Sequence, residues 1–192
     1  MNKFKLALLL VLPLSISLIS CGQEPDKSEE ILDEYDMTRD YADKQGYRGW
    51  YYLYGDAAGD LLPMTYHEDL CIYKGGDFWS KISPYEAVPG LNTESVVGFK
   101  VPRDAKLTVT FTIVRNPPDG FHPDQDGLWV YSFLNKPDDY LSSEMVQDTY
   151  RNIHTLVFEV EAKKNDMLYY SLNPLKDNNN DNCIITENIK LS

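Results

Sequence analysis

From residue 46 onward the chain alternates between apolar and polar positions. In residues 106–114, Leu107, Val109, Phe111 and Ile113 share one face, while threonines hold much of the other. In residues 155–162, Leu156, Phe158 and Val160 alternate with Val157, Glu159 and Glu161. A period of two with one apolar face marks a half-buried antiparallel strand. Short runs rich in Val, Ile, Thr, Tyr and Phe, divided by Gly, Pro, Asn and Asp clusters, predict strands over 49–54, 62–66, 95–101, 106–115, 128–135, 155–162, 167–173 and 183–190. About eight such strands predict an all-β, two-sheet antiparallel β-sandwich of jelly-roll type.

The first 45 residues read differently. Lys3 and Lys5 precede an apolar run over 6–14, and small and apolar residues lead on to Leu18-Ile19-Ser20-Cys21. So short a run before a processing site reads as a signal peptide over 1–20, not a spanning helix. The tetrapeptide resembles the lipobox of bacterial lipoproteins. That resemblance implies a lipid on the Cys21 thiol and a membrane anchor. Gly22 is not an inner-membrane retention Asp, so outer membrane or cell surface is the expected site. Residues 21–45 are rich in acids and predict a short N-terminal tether. Ile31, Leu32, Tyr35 and Ala42 have loose helical spacing, so a short helix over 29–43 and a solvated linker both fit. The domain proper is expected over 46–192.

Charge narrows the partners. Loss of Lys3 and Lys5 with the leader takes the net charge from −12 to −14. So acidic a surface argues against nucleic acid and against adhesion to anionic lipid. Export permits a disulfide between Cys71 and Cys183; two separate small hydrophobes are the alternative. No Cys-x-x-Cys spacing suggests zinc.

Quoted in order, Trp50-Tyr51-Tyr52-Leu53-Tyr54, Val96-Val97-Gly98-Phe99, Pro102-Arg103-Asp104, Asp126-Gly127-Leu128-Trp129-Val130, Asp166-Met167-Leu168-Tyr169-Tyr170 and Asn180-Asp181 form a pattern. It resembles the jelly-roll, carbohydrate-binding modules of bacterial polysaccharide-processing and surface proteins. Two turn glycines of that pattern are Ala105 and Asn165 here. The resemblance implies a polysaccharide or oligosaccharide partner.

Sugar binding needs flat aromatic surface and a few polar groups. Trp50 and Trp129 lie inside strand patterns, on faces shared with Tyr52/Tyr54 and Tyr131/Phe133, and read as core. Trp79 lies in a Gly-punctuated loop with Tyr85 just beyond. These two are the candidate ligand platform. Asp177, Asn179 and Asp181 place oxygens at alternate positions, as in the start of a calcium loop. Asn182 and Asn188 then replace the Gly and Glu such a loop requires, so a structural calcium on a sandwich loop and a plain polar turn both stand. His67, His122 and His154 lack metal-ligand spacing, and no Gly-x-Ser-x-Gly or phosphate-cradling loop occurs. The leading expectation is a lipid-anchored, non-catalytic glycan binder. The rivals are a module that contacts another envelope protein and a small glycan hydrolase.

Overall fold

A computed structural model describes residues 30–116, 126–147, 152–176 and 181–192. Among them are fourteen strands: β1 Glu34–Asp36, β2 Trp50–Gly55, β3 Leu61–Pro63, β4 Thr65–His67, β5 Ile72–Lys74, β6 Lys81–Ile82, β7 Glu86–Val88, β8 Glu94–Lys100, β9 Ala105–Arg115, β10 Leu128–Leu134, β11 Ser142–Val146, β12 Ile153–Ala162, β13 Met167–Asn173 and β14 Cys183–Leu191. They form two antiparallel sheets. The larger runs β12-β9-β14-β7-β6-β5-β4, with β1 added beside β14, and the smaller runs β11-β10-β13-β8-β2-β3. The long strands β8, β9, β10, β12, β13 and β14 fall alternately in the smaller and larger sheet. The protein is an all-β jelly-roll sandwich.

The period of two fixes which side chains meet. From the larger sheet, Leu107, Val109, Phe111 and Ile113 of β9 face Ile185 and Ile189 of β14 within one core. From the smaller sheet, Trp50, Tyr52, Val97, Phe99, Leu168, Tyr170 and Leu172 point at them. Trp50 is core, as its strand pattern indicated; its ring lies 5.0 Å from that of Phe99. Asn165 takes the left-handed backbone, φ 74°, that a turn glycine would otherwise supply.

Five strands escape the sequence pattern: β1, β5, β6, β7 and β11 are two to five residues long. The single strand expected over 62–66 is two. It breaks at Met64, whose side chain drops into the core while its N–H donates to the Tyr52 carbonyl at 2.9 Å.

The N-terminal segment corrects the expected boundary. Residues 30–45 are part of the sandwich rather than a tether or a helix. Tyr35 and Met37 alternate into the core, and β1 pairs with β14 through Tyr35↔Ile189. Asp40 is buried and accepts from Arg39 Nε at 2.9 Å and Arg48 Nη1 at 2.8 Å. Burial opposes its charge, yet the two guanidiniums and the Asp36 N–H hold its carboxyl below the usual carboxylate range. The acids that look like a solvated run are thus partly structural. The leader, Cys21 and the rest of the segment to residue 29 lie outside the described residues.

Of the two readings of the cysteines, the structure gives two separate thiols rather than a disulfide. Cys71 is an exposed thiol after β4, and Cys183 is a buried one at the start of β14. Burial pushes the Cys183 thiol up, and neighbouring Asp181 adds to this.

Candidate functional site

The outer face of the smaller sheet carries the densest set of sugar-compatible groups. On β10, Leu128 and Val130 point inward, so Trp129, Tyr131 and Phe133 point outward. On β13, Leu168, Tyr170 and Leu172 point inward, so Met167, Tyr169, Ser171 and Asn173 point outward. Register then lines up Phe133, Tyr169, Gly98 and Tyr51 across four strands. A Cβ on Gly98 would sit 3.2 Å from Tyr169 Cε1, so the bare backbone there lets the Tyr169 ring lie over β8. The Phe133 and Tyr169 rings are 5.0 Å apart and inclined at 31°. Burial, together with Tyr51, raises the Tyr169 phenol above its ordinary value.

Two loops arch over this face. Residues 56–60 join β2 to β3, and residues 135–141 join β10 to β11. Between them lies a cleft of about 550 Å³. Phe133 and Tyr169 line its floor; Ala57, Asp60, Asn135, Lys136, Pro137 and Asp138 line its sides. Phe133 is 1% exposed, so half-buried Tyr169 supplies the open ring surface of the floor; one such ring with a polar rim suits a sugar, which needs stacking surface and a few placed hydrogen-bonding groups. Farther along the same face, Trp129 meets Tyr131 at 4.6 Å and Tyr140 at 5.3 Å.

A buried carboxyl holds the face together. Glu94 accepts from the Ala57 N–H at 3.2 Å, the Tyr131 hydroxyl at 2.7 Å, the Asn173 amide at 2.6 Å and the Ser171 hydroxyl. One side chain thereby fixes β8, β10, β13 and the 56–60 loop. Burial raises the Tyr131 phenol, and its hydrogen bond to Glu94 raises it further.

The sequence-based platform stands elsewhere. Trp79 and Tyr85 are 54% and 63% exposed, but they belong to turns at opposite ends of β6. Trp79 meets the ring of Phe78 edge-on at 5.0 Å. Asp77 pins this turn by accepting from the N–H groups of Trp79 and Ser80 and from the Thr93 hydroxyl. Topology thus separates two residues that lie close in sequence. Trp129, read as core, faces outward instead.

Of the proposed calcium ligands, Asp177 and Asn179 lie outside the described residues. Asp181 is buried and turned inward, where Arg115 Nη2 donates to its Oδ1 at 3.1 Å. That carboxylate serves an internal ion pair rather than a surface cation. Among the described residues no three acidic, thiol or imidazole side chains converge as a metal site.

The outward aromatics leave a signal in the sequence. The β10 sequence LWVYSFL is largely apolar on both faces. A strand of that kind is covered on both sides. One cover is the core; the other is the loop-roofed cleft.

No protein-family model matches the chain, and no curated protein matches it. Solved structures do resemble it. Pika GITRL aligns at 14% identity and TM-score 0.33, over 73% of this chain and 96% of its own. The C-terminal CBM6 of LamC, a marine laminarinase from Zobellia galactanivorans, aligns at 12% identity and TM-score 0.35, over 72% of this chain and 98% of its own. An adhesin domain of Lys-gingipain from Porphyromonas gingivalis aligns at 7% identity and TM-score 0.37, over 55% and 70% respectively. Likeness at this level names neither a family nor a ligand.

Proposed function

We propose that this protein is a non-catalytic glycan-binding lipoprotein, with the outer face of its smaller sheet as the binding surface. The observation that carries this reading is the cleft over Tyr169 and Phe133, with Asn135, Lys136, Asp138 and Asp60 at its rim. Lipid on Cys21 would hold the domain at an outer membrane, as the Leu-Ile-Ser-Cys tetrapeptide implies. Glu94 serves this face as a structural acceptor for four donors, so the pair of carboxyls that a hydrolase would need would have to be Asp60 and Asp138 at the rim.

Calorimetric titration against a panel of soluble neutral polysaccharides tests the proposal. Binding by the intact chain and its weakening by about tenfold in Tyr169→Ala are expected. No heat from any glycan at millimolar sugar contradicts it. Turnover of a bound glycan would instead favour the hydrolase reading. One observation favours adhesion to another protein: Phe78, 82% exposed, stands beside Trp79 on the turn pinned by Asp77. Exposed paired aromatics on a rigid turn are suitable anchors for a protein partner. Co-purification of an envelope protein that is lost in a Phe78→Ser/Trp79→Ser variant would establish that second role.

A further inference from the structure

β12 is an open edge of unusual length. It runs for ten residues, and among the described residues its one neighbouring strand is β9. Natural sheets blunt such edges with short strands, lysines, prolines or bulges. The β12 sequence IHTLVFEVEA has no Lys, Pro or Gly, its acids are confined to Glu159 and Glu161 toward one end, and its ten pairings with β9 run without a break. Its outward side shows Ile153 at 72% and Val157 at 63% exposure. Its inward Leu156, Phe158 and Val160 pack on the core yet are only partly buried. The edge of the smaller sheet lies alongside, since His154 Nδ1 and Glu144 Oε1 of β11 are 2.6 Å apart.

We infer that β12 pairs with β12 of a second copy of this chain, antiparallel about a two-fold axis at Val157. Like charges do not oppose this occupant. About that axis Val157 meets its own copy, Leu156 meets Phe158, Thr155 meets Glu159, and Ile153 meets Glu161. No glutamate faces another, because both acids lie on one side of the axis. Glu159 is also paired within its own chain to Lys106 Nζ at 2.6 Å. The union satisfies both open backbone edges and covers the half-buried Leu156, Phe158 and Val160. It leaves the cleft free, because the cleft is on the other sheet.

Sedimentation equilibrium of the full-length chain in density-matched detergent tests the dimer. The wild type is expected to dimerise. Val157→Lys sets two like charges face to face and should weaken dimerisation about tenfold or more. At concentrations low enough that both chains are monomers its melting temperature should match the wild type's, as residue 157 is exposed in the single chain. Ile153→Lys sets a lysine opposite Glu161, so it should retain or tighten the dimer. A wild type that stays monomeric at millimolar concentration overturns the inference. So does a Val157→Lys chain as dimeric as the wild type, or an Ile153→Lys chain as weakened as Val157→Lys.

Discussion

Two buried glutamates lie on opposite sides of the smaller sheet, and their surroundings could hardly differ more. Glu94 faces outward and accepts from four donors on three strands and a loop. Glu187, on β14, faces inward and is 1% exposed. Neither of its carboxyl oxygens has a hydrogen bond of good geometry, and the same holds for the Tyr52 and Tyr170 hydroxyls. Those tyrosines flank Val97 in register and project from the smaller sheet into the core that Glu187 enters from the larger. Burial drives the Glu187 carboxyl well above the usual carboxylate range, with a nearby Tyr170 hydroxyl only partly offsetting it. Burial likewise raises Tyr170 and Tyr52, and Glu187 adds to both. Equal burial therefore has two outcomes. Where donors are supplied, a carboxyl becomes a structural hub. Where they are missing, burial pushes the carboxyl's pKa up.

The largest test removes the hub. Glu94→Ala leaves Tyr131, Ser171, Asn173 and the Ala57 N–H without their acceptor. A loss of about 3–5 kcal/mol in denaturant unfolding is expected, with loss of glycan binding because β10, β13 and the 56–60 loop separate. The inner carboxyl should respond in the opposite direction. Its folded pKa is raised, so the stability it permits is complete below the unfolded value near 4.5 and falls as pH rises above it. Glu187→Gln should gain on the order of 1–3 kcal/mol over the wild type at pH 8. That gain should shrink toward zero near pH 4, as seen by thermal melts across pH. A gain that does not depend on pH would deny that proton linkage sets the contrast.

Smaller effects sharpen the two faces further. Tyr169→Ala should weaken glycan binding by about tenfold, of order 1.4 kcal/mol, while changing stability less than Glu94→Ala does. Trp79→Ala should leave glycan affinity within about twofold, since an exposed ring on a separate turn is energetically independent of the cleft. Titration calorimetry of the two variants side by side checks both.

Much of the fold was legible because long alternating strands carry their own evidence. β9 and β12 declared a buried face residue by residue, and the six longest strands were placed within about two residues. Strands such as β6, two residues long, have too few positions to show a period, and tertiary pairing decides them. Residues 30–45 misled because charge density reads as solvation. Asp40 and Arg48 meet only after the chain has folded back across eight residues. The site was less legible. Loop position singles out Trp79 and Tyr85, while the strand pattern of β10 makes its aromatic face look like core, as that of Trp50 truly is. What separates Trp129 from Trp50 is which face of a strand meets the second sheet, and that depends on partners distant in sequence. The Glu94 hub was invisible for the same reason, as Ser171 lies 77 residues away.

Aromatic and amide NMR shift mapping during a glycan titration shows which face holds the glycan. If it is the outer face of the smaller sheet, shifts centre on Tyr169, Phe133, Asn135 and Ala57, with Phe78, Trp79 and Tyr85 unmoved. Shifts centred on Trp79 and Tyr85, with the cleft silent, would contradict that placement.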